Sequence, residues 1–181
     1  MSNTQTLTIA PAGTWELDAV HSAVGFEVEY LGGTFKGSFR DIAATLVVGD
    51  DSVSLEGSAK VASVDVKDEN LAGHLQSPDF FDAERFPEIR FTAVDVGLAG
   101  ETVKVEGDLT IKGVTHSADV TGTVTSPLTD PYGRERIGLK LDTRLDRTQF
   151  GVSWNNPLPS GEPALANDVA VVAELFFVKS A

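Results

Sequence analysis

Apolar and polar residues alternate along most of this chain from Trp15 onward, with charged or hydroxyl residues between the apolar ones. The clearest alternating segments are 24–30, 53–61, 103–111, 114–124 and 137–145. Because successive side chains of a strand point to opposite faces, this pattern predicts strands with one buried and one solvated face. The segments 40–48 and 88–96 are weaker strand candidates.

Three other segments depart from this alternation. Residues 169–178 are apolar at both odd and even positions, which predicts a strand covered on both faces, by another element or by an oligomer partner. Residues 68–76 have a helical pattern, with Asp68 as N-cap and Ser77-Pro78 as the stop. Residues 153–167 contain three prolines and are expected to form a long loop.

Long strands joined by short turns, such as those around Gly32-Gly33 and Lys112-Gly113, indicate an all-β protein. A barrel or a sandwich would satisfy this pattern, and long strands with tight hairpins favour an up-and-down barrel, which has no exposed edges. We therefore expect a flexible N-terminal segment at residues 1–13 and a single barrel domain at residues 14–181.

Charge and composition exclude several classes of partner. The 181 residues contain 14 Lys and Arg against 27 Asp and Glu, a net charge of −13, which opposes binding to nucleic acid or to an anionic membrane surface. The chain has no cysteine, and no apolar run approaches the ~20 residues that a membrane helix needs. Residues 1–9 lack the pattern of a secretory signal, so we expect a cytoplasmic protein without stable membrane insertion.

Catalytic patterns are absent from the sequence. His21, His74 and His116 are far apart, and neither a paired-histidine motif, a G-x-S-x-G elbow nor a phosphate-binding glycine loop occurs. We therefore predict no catalytic residues, no metal and no cofactor. The alternative left open is a metal-dependent enzyme in which His21 and His74 meet in the fold.

Phenylalanines and small residues suggest what the barrel contains. Phenylalanines cluster at residues 26–39 and 80–91, while small residues such as Gly57, Gly107 and Ala118 occur at inward positions. The small residues would leave room for an apolar ligand in the lumen. The alternative is a structural or interaction barrel with a filled core and no ligand.

The order of several motifs resembles the YceI-like family. These motifs are Trp15-x-x-Asp18-x-x-His21-Ser22, Gly73-His74-Leu75-x-Ser77-x-Asp79-Phe80-Phe81-Asp82, Phe86-Pro87-x-Ile89-x-Phe91, Val105-x-Gly107-Asp108-Leu109-Thr110-Ile111-Lys112-Gly113-Val114-Thr115 and Asp146-Arg147-x-x-Phe150-Gly151-Val152. They extend over residues 14–178. Two features depart from many relatives: an export signal is not seen, and residues 69–73 lack a basic residue often found there.

The resemblance implies an extended, lipocalin-like, eight-stranded antiparallel barrel with one short helix between strands. It also implies a non-catalytic tunnel for a polyisoprenoid or isoprenoid quinone, and a possible homodimer. The expected ligand-binding residues are Phe26, Val28, Phe35, Phe39, Leu75, Phe80, Phe81, Phe91 and Leu109. Asp18, His21 and His74 are expected to be polar groups at the mouth or in the cap.

Overall fold

The computed structural model describes residues 11–180, without the side chains of residues 98 and 99. Residues 1–10 of the expected flexible lead-in lie outside this range. The strands are β1 (Gly13–Leu17), β2 (Ala23–Tyr30), β3 (Gly33–Phe39), β4 (Ile42–Val48), β5 (Val53–Lys60), β6 (Val64–Asp65), β7 (Glu88–Ala93), β8 (Val96–Ala99), β9 (Thr102–Ile111), β10 (Val114–Val124), β11 (Leu128–Thr129), β12 (Glu135–Asp146) and β13 (Leu165–Lys179). The α-helix, α1, spans Glu69–Gln76, and 3-10 turns lie at Val61–Ser63 and Arg147–Phe150.

The strands close into an antiparallel barrel. Its ring follows the order β12, β10, β9, β7, β5, β4, β1 and β13, and β13 then pairs with β12 to complete the circle. This arrangement confirms the predicted eight-stranded barrel. The weaker strand candidates also form, 40–48 as β4 and 88–96 as β7 and the start of β8.

The ring is lengthened by a hairpin that continues two of its strands. Residues 177–179 of β13 pair with β1, whereas β13 residues 165–174 pair with β2 along the same edge. β2 in turn pairs with β3, which precedes β4. The β2–β3 hairpin therefore extends the barrel wall at one end, which makes the interior deeper there.

Elsewhere in the ring, two paired strands, β10 and β12, separate along part of their length. β10 pairs with β12 only between residues 121–124 and 139–142. Beyond the paired residues, toward the start of β10, the 3-10 turn Arg147–Phe150 lies next to this strand. There the Gln149 carbonyl oxygen is 2.9 Å from His116 Nε2. The Phe150 ring packs edge-on against the His116 ring, with a centroid distance of 5.2 Å. This turn takes the place of direct strand pairing.

Local sequence signals explain the helix and the tight turns. The Asp68 carboxylate accepts hydrogen bonds from the amides of Asn70 and Leu71 at 2.7 and 3.2 Å, so the predicted helix start is confirmed. Lys112 and Gly113 have φ values of 53° and 75°, the left-handed pair that a two-residue hairpin turn requires. At the other hairpin the turn residues are Leu31 and Gly32, one position earlier than expected.

The hydrophobic core has two parts, which we call the closed-end and open-end clusters. The closed-end cluster fills its half of the barrel and includes Trp15, Val53, Val103 and Phe177, each with 0% exposure. The open-end cluster surrounds an unfilled interior and contains residues from the barrel wall, from α1 and from the loops that follow it. One half of the barrel is therefore solid and the other is hollow.

The last strand differs from its prediction. We expected residues 169–178 to be covered on both faces, but the outward residues Val172 and Phe176 are 50% and 36% exposed, while the inward Leu175 and Phe177 are buried. The His21 ring packs against Phe176 on that outer face, while Val172 is half exposed. None of the helices that the structure describes is long and apolar enough to cross a membrane.

Candidate ligand-binding cavity

A cavity of about 490 Å³ occupies the hollow half of the barrel. This volume lies within the range of about 300–1,000 Å³ that is typical of small-molecule sites. Tyr30, which is 40% exposed, belongs to the cavity wall together with Phe35 and Leu71. The cavity therefore reaches the surface between the tip of the β2–β3 hairpin and helix α1, and we call this opening the mouth.

All nine residues expected to contact a ligand lie on the wall of this cavity. They are Phe26 and Val28 of β2, Phe35 and Phe39 of β3, Leu75 of α1, Phe80 and Phe81 after α1, Phe91 of β7 and Leu109 of β9. The alternation of the strands brings the barrel residues inward, and α1 with the residues that follow it places the other three at the end of the barrel. Ligand contact by these residues stays a prediction.

Aromatic rings form a continuous layer along one side of the wall. The Phe26 centroid lies 6.1 Å from that of Phe35 and 5.8 Å from that of Phe39, and Phe39 lies 5.8 Å from Phe81. Gly37 allows this arrangement, because a Cβ atom there would lie 2.5 Å from Phe26 Cζ. The missing side chain at residue 37 thus creates the space in which the Phe26 ring lies.

The cap over the open end, which we define as α1 and residues 77–82, is held by defined hydrogen bonds. The Ser77 hydroxyl donates to the His74 carbonyl oxygen at 2.6 Å, at the end of α1. The Phe81 amide donates to the Leu75 carbonyl oxygen at 3.0 Å. Lys112 Nζ donates to the carbonyl oxygens of Pro78 and Gly151 at 2.6 and 3.2 Å. These bonds attach the cap to the β9–β10 turn and to the segment after β12.

His74 lies on the cavity wall among aromatic rings. Its ring packs edge-on against Phe80 and Trp154, with centroid distances of 5.0 and 4.9 Å. Its Nε2 atom is 3.0 Å from Asp79 Oδ2, so one ring nitrogen already has a carboxylate partner. Sequence reasoning did not identify Trp154 as a wall residue. A tryptophan inside a proline-rich loop was the available signal.

Arg147 is a buried cation on the same wall that sequence reasoning also missed. Its side chain donates to the carbonyl oxygens of Ala166, Val152, Trp154 and Leu165 and to the Asn167 side chain, over 2.7–3.5 Å. These five bonds account for all five N–H groups of a guanidinium. Burial lowers the pKa of Arg147. The residue therefore binds the 153–167 loop to the barrel and has no donor left for a ligand.

Asp18 and His21 lie elsewhere, on the outer surface at the turn between β1 and β2. Asp18 Oδ2 is 2.7 Å from His21 Nδ1 and accepts a hydrogen bond from Arg136 at 2.9 Å, and Arg136 also donates to Asp130 at 2.7 Å. The Arg136 guanidinium, followed by His21, lowers the pKa of Asp18 to about 2. The His21 ring packs against Phe176, which points outward from β13. Through Arg136, Asp18 joins β12 to the turn that follows β1, and His21 supports this contact by its bond to Asp18.

The expected polar residues therefore fall into two separate places. His74 borders the cavity, whereas Asp18 and His21 are not among its wall residues. Within residues 11–180, no group of three or more His, Asp or Glu side chains is arranged to hold a metal ion. The alternative of a metal-dependent enzyme required His21 and His74 to converge, and their placement does not provide that arrangement.

The floor of the cavity consists of four residues that also belong to the closed-end cluster. They are Leu55 of β5, Val120 of β10, Leu141 of β12 and Leu175 of β13. Each is at most 8% exposed. Among the wall residues described here, apolar side chains dominate, so the interior suits a molecule without hydrogen-bonding groups along its length.

Comparisons with known proteins agree with this fold. The family model described as the YceI-like domain matches residues 15–177. A UPF0312 protein of Pseudomonas putida is 33% identical over 154 residues, which is 79% of this chain and 78% of that protein. The crystal structure of Burkholderia cenocepacia BcnA superposes with a TM-score of 0.76 at 22% identity, over 88% of this chain and 98% of that one.

A further solved structure is described as a polyisoprenoid binding domain from Saccharophagus degradans, implicated in plant cell wall breakdown. It superposes with a TM-score of 0.72 at 15% identity, and the match covers 92% of this chain and 98% of that domain. At this identity the likeness concerns the fold.

Proposed function

This chain belongs to the YceI-like family, and we propose that it binds and carries one long apolar amphiphile, a polyisoprenoid or isoprenoid quinone, in its barrel interior without catalysing a reaction. The observation that carries the proposal is a ligand-sized cavity, open at one end, whose wall is almost entirely hydrocarbon. The polyisoprenoid-binding description of the Saccharophagus degradans domain, which shares the fold, is consistent with this ligand class.

The energetics of the cavity support a long hydrocarbon rather than a compact polar ligand. Transfer of each CH₂ group from water into such an interior contributes about 0.8 kcal/mol. The wall offers aromatic faces from the Phe26–Phe39 layer and aliphatic side chains such as Leu109 and Val169. A polar ligand would lose its hydrogen bonds with water here and gain few in return.

The polar groups of the wall favour a ligand with a neutral end. All N–H groups of Arg147 already have protein acceptors, and His74 faces the Asp79 carboxylate. At the start of α1, the positive charge of Lys67 is followed by the carboxylates of Asp68 and Glu69. The whole chain carries a net charge of −13. A quinone or alcohol end therefore suits this site better than a phosphate.

Mass spectrometry of protein purified from its own host tests the proposal, first under native conditions and then after organic extraction. We expect one isoprenoid per chain. Binding is then reconstituted with a prenyl alcohol and with the corresponding prenyl phosphate, and we expect the alcohol to bind more tightly.

A matched pair of variants connects binding to the cavity. Val171 lies on the cavity wall, while its neighbour Val172 points outward and is 50% exposed. The Val171→Trp variant should lose the ligand, whereas Val172→Trp should retain it. Protein that carries no lipid and takes up no added isoprenoid would instead support the interaction barrel without a ligand.

We also propose that two copies of the chain form a homodimer through the outer face of β13. Val172 is flanked by Gly25 on β2 and by Asp142 on β12, and Phe176 by Gly138 on β12, so each apolar side chain has a glycine beside it. The exposed Glu174 lies between them on this face, and exposed large apolar side chains on a strand face are a feature of association sites. A second copy of the chain would cover the face that was predicted to be buried.

A further inference from the structure

We propose that Leu55, Val120, Leu141 and Leu175 form a fixed floor that sets the longest hydrocarbon chain the cavity accepts, so that the protein selects its ligand by chain length. This inference rests on the proposed function, because it concerns the same cavity. It adds a specificity determinant that the apolar character of the wall does not supply, since a hydrocarbon wall by itself favours ever longer chains.

The four residues form one layer across the barrel. Val120, Leu141 and Leu175 come from the neighbouring strands β10, β12 and β13, and Leu55 comes from β5 on the other side of the ring. Leu141 pairs with Ala173 on the neighbouring strand, and Ala173 also lies on the wall, two residues nearer the mouth than Leu175. The cavity therefore ends where the inward residues change from small to large.

Behind this layer the barrel is solid. Trp15 and Phe177 have 0% exposure, and Ile137, four residues beyond Leu141 along β12, has 2%. At about 3.3 Å per residue, those four residues correspond to roughly 13 Å of filled interior along the strand. Such cores pack as densely as organic crystals, so a chain end cannot pass through without displacing side chains.

The backbone of the ring prevents the floor from moving aside. β12 pairs with β13 from Arg136 to Asp146 without interruption, and the floor residues Leu141 and Leu175 lie within that ladder. Widening this part of the barrel would break backbone hydrogen bonds in an apolar interior. The depth from Val169 to the floor at Leu175 is six residues of β13, roughly 20 Å along the strand.

The floor should make binding affinity reach a limit as the hydrocarbon chain lengthens, instead of rising steadily. Each CH₂ group that enters the cavity should raise affinity about fourfold, from about 0.8 kcal/mol per group and about 1.4 kcal/mol per factor of ten. Once the chain end meets the floor, additional units remain in water at the mouth. Affinity should therefore rise at least tenfold per isoprene unit and then stop rising.

The experiment measures the affinity of the full chain for a graded series of prenyl alcohols that differ by one isoprene unit. Three variants are compared with the wild type. Leu141→Ala removes part of the floor, Ala173→Leu adds bulk just above it, and Ile137→Ala removes the same number of carbons from the filled half, away from the cavity wall.

We expect Leu141→Ala to bind the first alcohol beyond the wild-type limit at least tenfold more tightly. Ala173→Leu should bind the longest accepted alcohol at least tenfold more weakly, and Ile137→Ala should match the wild-type profile within about twofold. If Leu141→Ala does not fold, the Ala173→Leu and Ile137→Ala pair still decides the matter.

Two negative results have different meanings. A wild type that binds alcohols of all lengths with steadily rising affinity, or variants with unchanged profiles, would overturn the floor while leaving the proposed function intact. A wild type that binds no prenyl alcohol at all would overturn the proposed function itself.

Discussion

The ring of Phe91 lies where a side chain at residue 107 would stand. A Cβ atom built on Gly107 would be 2.5 Å from Phe91 Cζ and 2.7 Å from the Thr92 carbonyl oxygen. β7 and β9 are paired at Phe91 and Leu109, so the phenylalanine reaches across its neighbouring strand. The small residue on β9 and the large one on β7 are thus complementary parts of the same wall.

Gly107→Ala should therefore destabilise the protein by about 1–3 kcal/mol, because the new methyl group must displace both the Phe91 ring and the backbone. Denaturant unfolding measures the change. Gly57→Ala is the matched control on β5, where an added Cβ would make only ordinary contacts at 3.6 and 3.8 Å. Equal effects of the two substitutions would contradict this account of the Phe91 position.

Arg147→Ala should lower the free energy of unfolding by about 3 kcal/mol or more. The substitution leaves several buried carbonyl oxygens without donors. Arg144→Ala is the control, since Arg144 is 68% exposed in its ion pair with Asp168 and should contribute at most about 1 kcal/mol. Urea titration of both variants checks the difference, and a small effect at Arg147 would show that its five bonds do not stabilise the loop.

Asp68→Ala should cost about 1 kcal/mol, because the amides of Asn70 and Leu71 lose their acceptor at the start of α1. Asp68→Asn keeps an acceptor oxygen and should be close to the wild type. Thermal unfolding in parallel compares the two. A loss of similar size in both would mean that the charge, rather than the cap, matters at this position.

Asp18 should make stability depend on pH in acid. Its pKa is lowered from 3.8 to about 2 by Arg136 and then by His21, so the folded state favours the ionised carboxylate. The stabilisation is complete above the unfolded pKa of 3.8 and is lost as the pH falls through about 2. The stability difference between wild type and Asp18→Asn should thus be largest near neutral pH and shrink in acid. A difference that stays constant down to pH 2 would refute the ion pair as its source.

Val172→Lys should convert a dimer into a monomer, because a charge would be buried at the proposed β13 contact. Val47→Lys is the control, since Val47 lies on β4, away from β13, and is similarly exposed, at 42%. Light scattering after size exclusion gives the mass of each variant. A wild type that is monomeric at all concentrations would remove the dimer from the proposal.

In the alternating strands, the pattern of apolar and polar residues was sufficient to predict which residues point inward, whereas it gave no inward face for β13. Phe26 and Val28 on β2, or Leu109 on β9, reach the cavity because side chains two positions apart share a face of a strand. The helix after Asp68 and the Lys112-Gly113 turn were predictable for the same kind of reason. Their signals involve only neighbouring residues, which the sequence presents directly.

The sequence alone did not distinguish the filled half of the barrel from the hollow half. Val103 and Leu109 lie on the same face of β9, yet the first is fully buried in the closed-end cluster and the second borders the cavity. The difference depends on which residues of other strands lie opposite. Alternation carries no information on that point.

Only the tertiary structure showed what Arg147 and Trp154 contact and which residues form the outer face of β13. The acceptors of Arg147 extend to Asn167, 20 residues away, and Trp154 meets His74 across the cap. The sequence by itself determined the long alternating strands, their inward faces and the likeness to the YceI-like family. The position of the 153–167 loop, the floor and the separation of His21 from His74 were decided by contacts between residues distant in the chain, because such contacts exist only after the barrel has closed.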